Sequence, residues 1–330
     1  MGDKALKIAY MGSPGFAVPA LDALLRGGHE IACVVTQPDR IRGRGGKILP
    51  TPVSLFAEGK GLPVFKPERL SGNADFMLAL EKAEPDLIVV AAYGKILPKS
   101  LLGLPALGCV NIHASLLPEY RGAAPVQRAI LDGKRETGVT LMYMTEELDK
   151  GDMIAAARTD VSDLNAGELA DVLAGLGAGL LTDMIPALAD GTAPRVPQDE
   201  SKATYAEKIA KAEGLVDLRR SADEAVRKVR AMTPAPGAFV YNGGERIVIT
   251  KARAVSKEEW PAFAGPGMGQ IKAYETAGPG TALAVSKEGI GIRTDDGVFL
   301  IEELKAPGKK AMHVREYIKG NAFDTDSPMS

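Results

Sequence analysis

The sequence predicts an α/β protein: a parallel-rich sheet with helices on both faces, followed by a smaller all-β unit. Three observations predict it. Short apolar runs alternate with helical periodicities through the first half. A stretch rich in Pro, Asp, Thr and Ser, DGTAPRVPQDESKATY, then interrupts the pattern. Beyond it stand brief β-like runs punctuated by glycine. The expected domains are residues 1–190 and 206–330, joined by a linker at 191–205.

In chain order, Lys7 to Met11 is a short apolar run ending at Gly12 and fits a buried strand. Phe16 to Arg26 has helical spacing through Phe16, Ala20 and Leu24. Glu30 to Thr36 reads as a second strand, Pro52 to Gly59 as a helix and Leu62 to Phe65 as a short strand. Asn73 to Ala83 is helical, Asp86 to Ala92 a third buried strand and Gly108 to His113 a fourth. A helix from about Gly167 to Ala189 closes this half. In the second half a helix spans about Ala222 to Met232. Strands are expected at Ala238–Tyr241, Arg246–Lys251, Thr281–Val285, Ile290–Arg293 and Val298–Glu302, a small barrel or sandwich. The C-terminal residues from Ala322 read as frayed.

Composition excludes several classes. The chain is 45 % hydrophobic and 25 % charged, and its 40 Lys+Arg against 42 Asp+Glu leave a net charge of −2, without a bulk basic signature. Residues 206–330 hold 19 Lys+Arg against 17 Asp+Glu, net +2, a mild hint of an anionic partner. Cys33 and Cys109 form no disulfide framework, which favours a reducing compartment. With three histidines they assemble no metal-ligand spacing. Leu87 to Tyr93, read as the longest strongly apolar stretch, is too short to span a bilayer. MGDKALKIAYMG has no apolar signal core. A cytoplasmic protein that touches no membrane is expected.

Sites in such sheets lie at the carboxyl ends of strands. After the first strand, Met11-Gly12-Ser13-Pro14-Gly15-Phe16 lacks dinucleotide-binding glycine spacing and reads as a tight turn. After the second, QPDRIRGRGGKIL carries Arg40, Arg42, Arg44 and Lys47 among glycines, with Asp39 its single acid. Ile41 and Ile48 rule out a nucleotide-binding Walker loop. The remaining readings are a solvated mobile loop and an arm for a phosphodiester backbone. After the fourth, Asn111 and His113 are two apart and point to one face. An amide donor beside an imidazole suits acyl transfer, in which an oxyanion needs donors and an attacking amine must lose a proton. The alternative for such a histidine is a structural hydrogen bond. Asp149 and Asp152 flank Gly151 in a turn. Either one beside the imidazole would support its charge, and ordinary turn chemistry is the other reading.

The segments N-I-H-A-S-L-L-P, R-G-A-A-P-V-Q, E-T-G-V-T and L-D-K-G-D-M resemble the 10-formyltetrahydrofolate-dependent formyltransferases. Matches continue from Gly12-Ser13-Pro14-Gly15-Phe16 through T-Q-P-D-R, G-R-G, G-L-P-V, A-A-Y-G-K-I-L-P and Y-A-E-K-I to P-G-K-K-A-M, nearly the whole chain. G-R-G and G-K-K-A-M favour the branch that formylates initiator methionyl-tRNA. The resemblance implies a Rossmann-like formyltransferase domain and a C-terminal OB-type β-barrel. It implies Asn111, His113 and Asp149 as the catalytic set. Ser115, Leu116, Leu117 and Pro118 correspond to the folate segment, and Ala92, Tyr93 and Gly94 lie near the pterin. Arg44, the arginine of G-R-G, corresponds to a loop residue that helps engage the acceptor stem, and Arg40, Arg42 and Lys47 join it as tRNA-binding candidates by their charge. It implies 10-formyltetrahydrofolate as co-substrate. No metal is expected, and a monomer is expected as the working form. The chain departs from the family pattern at Ile41-Arg42, Glu147 and Lys150. Two other readings remain: the same transfer to a small amine, such as an amino sugar nucleotide or glycinamide ribonucleotide, and a non-catalytic RNA-binding module.

Overall fold

The computed structural model describes residues 5–42, 47–263 and 273–329. The chain forms two compact units. The first comprises residues up to Pro125, Glu136–Asp160 and Leu169–Glu207. The second comprises Val126–Arg135, Val161–Glu168 and the chain from Lys208 onward.

The first unit contains β1 (Lys7–Gly12), α1 (Val18–Arg26), β2 (Glu30–Val35), the short strands β3 (Arg40–Arg42) and β4 (Lys47–Leu49), α2 (Pro52–Gly59), β5 (Val64–Phe65) and α3 (Ala74–Ala83). After these come β6 (Leu87–Ala91), α4 (Lys99–Leu102), β7 (Cys109–His113) and β8 (Arg121–Gly122). α5 (Pro125–Leu131) leaves this unit, and β9 (Glu136–Tyr143) and β10 (Met153–Asp160) return to it. α6 (Ala166–Ala189) and β11 (Tyr205–Ala206) complete the set. The sheet order is β10-β9-β7-β6-β1-β2-β5. Strands β7, β6, β1, β2 and β5 are parallel, while β9 and β10 run antiparallel.

Alternation along β1 explains the two covered faces. Ile8 and Tyr10 enter one core with Leu21 and Leu24 of α1, Val53 of α2, and Leu181 and Ile185 of α6. Ala9 and Met11 enter another with Phe76 and Leu80 of α3 and Leu101 of α4. Each buried Leu contributes about 1.5–3 kcal/mol of transfer free energy. Cys33 and Cys109 are free and buried in the second core, and burial pushes both thiols up to about 12. α6 is apolar and long enough to cross a membrane, longer than the Leu87–Tyr93 run expected to be the limit. In this fold its Leu169, Leu173, Leu181, Ile185 and Leu188 are buried, and a Cβ on Gly177 would lie 2.6 Å from Ile112 Cγ2. That glycine lets the helix lie against β7.

Two expectations are corrected here. The arms of the loop after β2 pair as β3 and β4, Arg40 opposite Leu49 and Arg42 opposite Lys47. Residues 191–205 carry more structure than a linker. They belong to the first unit, and β11 pairs in parallel with β8, because Thr204 and Ala206 accept backbone bonds from Arg121, Ala123 and Ala124.

The second unit is built on α7 (Ala222–Met232), β12 (Ala238–Asn242), β13 (Glu245–Ser256), α8 (Trp260–Phe263), β14 (Ala282–Val285), β15 (Ile290–Arg293), β16 (Gly297–Lys305), β17 (Met312–His313) and α9 (Val314–Tyr317). Ser221 caps α7 reciprocally with Glu224. Its Ala225, Val229 and Met232 cover a sheet of order β12-β13-β16-β15-β14, entirely antiparallel, with β17 on β16. The expected closed OB-type barrel is not formed among the described residues. β12 and β14 stand at opposite ends of the sheet order, and β12 is bridged at Phe239 by Leu215, with the Val216 N–H on Phe239 C=O at 2.9 Å. The C-terminal residues are tied down rather than frayed. Asn242 and Asp324 exchange hydrogen bonds of 2.8 and 3.0 Å, and Met329 is buried with its N–H on Gly280 C=O.

Candidate active site

The fourth parallel strand, β7, is held between β6 and β9, with Asn111 opposite Val90 and Met142 and His113 opposite Thr140. Ile112 turns to the α6 side, which leaves Asn111 and His113 on the other face. Asn111 is half-buried, and its side chain makes no hydrogen bond among the described residues. His113 is 5 % exposed. Its Nε2 lies 2.9 Å from the Tyr120 carbonyl, which only accepts, so Nε2 carries a proton. Its Nδ1 lies 3.6 Å from Asp149 Oδ2.

Asp149 sits in the turn after β9 with φ +52°, a conformation that Asp tolerates better than most residues. Its Oδ2 accepts from the Gly122 N–H at 2.9 Å, which aims the carboxylate at the imidazole. Of the two acids flanking Gly151, Asp149 is therefore the one beside His113. Asp152 contributes its backbone carbonyl to Tyr143 N–H instead.

Ser115 to Pro118 form a turn whose polar groups are satisfied internally. Ser115 Oγ donates to Glu119 C=O at 2.6 Å, and Thr140 Oγ1 bonds Ser115 C=O and Leu117 N–H at 2.7 and 3.1 Å. Leu116 lies where a Cβ on Gly138 would stand 2.5 Å from its Cδ2, Leu117 is buried, and the Leu117–Pro118 bond is cis. After β6, Ala92 and Gly94 are exposed in left-handed conformations. Tyr93 turns inward, burial pushes its hydroxyl up to about 12, and its carbonyl accepts from Gln37 Nε2 at 3.0 Å. The same loop continues into a cleft lined by Ile96, Leu97, Met142, Met144, Leu148 and Asp149. Lys95 lies at this cleft. Burial pulls its ammonium below the ordinary lysine range, Glu68 opposes that shift and the charge of Arg40 adds to it.

The basic residues lie apart from the catalytic strand in sequence. Arg40 is exposed at the start of β3, Arg42 and Lys47 belong to the paired arms, and Arg44 lies outside the described residues. Asp39, at the base of this loop, is held by Lys66 at 3.0 Å, and Lys66 also pairs with Glu58 at 3.1 Å. Among the described residues no three His, Cys, Asp or Glu side chains are grouped to hold a metal.

Sequence reasoning missed the support for this site. Arg121 is fully buried, with its guanidinium on Gln198 and Glu200, and it holds the Glu200 carboxyl below the usual carboxylate range. Gln198 Nε2 bonds the carbonyls of Asp149 and Gly151, both at 2.8 Å. Arg121 opens the recognised segment R-G-A-A-P-V-Q, which gave no sign of its burial, and Gln198 stood in the stretch read as a linker and carried no local signal.

Residues 6–182 match the formyl transferase family, and residues 208–322 match its C-terminal domain. The methionyl-tRNA formyltransferase of Moorella thermoacetica is 42 % identical over 316 residues, covering 96 % of both chains. That of Bacillus subtilis is 42 % identical over 318 residues, covering 95 % of this chain and 94 % of the other. Two solved structures share the fold at lower identity. HypX from Aquifex aeolicus, in complex with tetrahydrofolic acid, has a TM-score of 0.65 at 17 % identity. The match covers 96 % of this chain and 47 % of HypX, about half its length. An N-formyltransferase from Helicobacter canadensis, in complex with folinic acid and dTDP-3-aminofucose, has a TM-score of 0.63 at 17 % identity, covering 90 % and 98 %. With both family domains matched and such relatives alike from end to end, the chain belongs to the formyl transferase family and, within it, to the methionyl-tRNA formyltransferases.

Proposed function

We propose that the chain transfers the formyl group of 10-formyltetrahydrofolate to the α-amino group of methionine on initiator tRNA, in the cytosol and as a monomer. One observation carries the chemistry: His113 and Asp149 meet at the end of β7, on the face that Asn111 shares, within a single chain. The choice of acceptor rests on full-length likeness to methionyl-tRNA formyltransferases at 42 % identity, against 16–20 % to sugar formyltransferases of known structure.

10-Formyltetrahydrofolate supplies an electrophilic formyl carbon. The cleft offers a pterin apolar surface from Ile96, Leu97, Met142, Met144 and Leu148 for its ring and polar partners from Thr145, Glu146, Glu147 and Asp149 for its amino, keto and ring-nitrogen groups, with Ala92, Tyr93 and Gly94 leading into it. Ser115, Leu116, Leu117 and Pro118, at the end of β7, are the folate-binding segment in this reading. When the amine attacks, the formyl oxygen gains negative charge. The uncommitted Asn111 amide donates to that oxygen. His113, whose Nε2 proton lies on the Tyr120 carbonyl, takes up at Nδ1 the proton that the amine sheds, and Asp149 balances the imidazolium so formed. When the tetrahedral intermediate collapses, the bond from the formyl carbon to N10 breaks, N10 takes that proton, and tetrahydrofolate leaves. Arg40, Arg42, Arg44 and Lys47 contact acceptor-stem phosphates.

Asn111→Ala and His113→Ala should each fold and lose formyl transfer by about two to three powers of ten, the scale of one transition-state donor. Turnover of His113→Ala near the wild-type rate rejects the assignment. Steady-state assays with methionyl-tRNA, an amino sugar nucleotide and glycinamide ribonucleotide decide the acceptor. Arg44→Ala should weaken tRNA binding and flatten its salt dependence by at most about one unit of slope, while folate affinity holds. Equal weakening of both ligands would mean that the loop shapes the active site. No change in either would mean a merely solvated loop. Light scattering tests the monomer.

A further inference from the structure

The segment Gln198–Ala206 meets the site at two points. Thr204 Oγ1 accepts from Tyr120 N–H at 2.8 Å, and Thr204 C=O accepts from Arg121 N–H at 2.9 Å. The Tyr120 carbonyl held there is the partner of His113 Nε2. The Gln198 side-chain amide bridges the Asp149–Gly151 turn and the buried Arg121 guanidinium.

The geometry leaves that amide one orientation. Arg121 Nε and Nη2 donate to Gln198 Oε1 at 3.0 and 2.8 Å, and a guanidinium has no acceptor to offer. On the other side the carbonyls of Asp149 and Gly151 only accept, so the Nε2 hydrogens must point there. Two further Arg121 donors go to Glu200 at 3.0 and 2.6 Å. Oxygen toward the cation and nitrogen toward the turn is a requirement that no other side chain of this length meets. A glutamate keeps the shape and the arginine pair but turns lone pairs onto two carbonyls. The turn so held is the one whose carboxylate stands 3.6 Å from His113 and whose Asp149 is in a left-handed conformation.

We propose that Gln198, oriented by Arg121, is a positioning residue for formyl transfer: it clamps the Asp149–Gly151 turn so that the Asp149 carboxylate faces His113. The inference rests on the reading of Asp149 as part of the catalytic set. Neither Gln198 nor Arg121 lines the folate cleft, so releasing the clamp misplaces the carboxylate without removing a binding contact.

The test is steady-state kinetics with methionyl-tRNA and 10-formyltetrahydrofolate on the full chain, in a double-mutant cycle. Gln198→Glu is expected to lower kcat by about tenfold to a hundredfold, the cost of misplacing a group by about 1 Å, with KM for both substrates within about twofold. In the Asp149→Asn background the same change should cost less than about twofold, because the group it positions is already lost. If Gln198→Glu does not accumulate, Gln198→Ala makes the same comparison, since it removes the donors and adds no charge. A kcat within about twofold of wild type overturns the proposal, as does a loss of full size in both backgrounds, which is what general loosening of the fold gives. Failure of the underlying reading looks different: Asp149→Asn would itself retain its kcat.

Discussion

Gly151 shows how one residue shapes the site. A Cβ there would stand 1.8 Å from the Tyr143 carbonyl oxygen, a backbone atom that cannot step aside. Gly151→Ala must therefore open the turn two residues after Asp149. It is expected to lower kcat by about tenfold or more and stability by about 1–3 kcal/mol, measured by steady-state assay and thermal melting. The sequence announced a glycine between two acids, and that much was legible as a turn. The close approach of the Tyr143 strand was not, because it depends on pairing across β9 and β10. Asn111 and His113 were legible as a pair on one face from their spacing alone. The choice of Asp149 over Asp152 came from the motif, and the Gly122 N–H that aims it has no sequence signal. Arg121 illustrates the limit: an arginine reads as surface until its two partners, 77 and 79 residues away, are known.

At the scale of elements, strands and helices with a clear apolar period were read within one or two residues, as with α2, α7 and β15. β9, β10 and α5 went unread. β9 is buried at seven of its eight positions and so shows no alternation, while β10 begins Met-Ile-Ala-Ala-Ala, a weak strand former that is strand because β9 pairs with it. α5 carries a testable ion pair. Arg128 reaches Glu213 at 2.7 Å and holds its carboxyl below the ordinary value of 4.5. A folded-state value below the unfolded one means that the stabilisation is present above about pH 4.5 and is lost as pH falls through the folded-state value. Melting temperatures of wild type and Glu213→Gln should therefore differ near neutrality and converge on acidification through that range. A gap that stays constant down to about pH 3 would reject the pairing.

For the whole molecule, the division into two units follows contacts rather than chain order. The sequence placed the first boundary near residue 190, where the composition changes. The first unit in fact runs to Glu207, since Gln198, Thr204 and β11 all belong to it. A fragment ending at residue 207 should therefore bind a folate donor analogue within a few-fold of the full chain, whereas one ending at residue 190 should bind weakly. Calorimetric titration of both fragments checks this, and equal binding would restore the earlier boundary. The same division matters while the chain is being made. Leu131 of α5 packs against the core of Val216, Val229 and Met329, and Met329 is synthesised roughly 200 residues later. At ~5–20 residues per second the ribosome needs about ten to forty seconds to deliver it. Until that core is complete the nascent protein displays the apolar face of α5 without its full partner set, a window in which a holding chaperone would have something to grip.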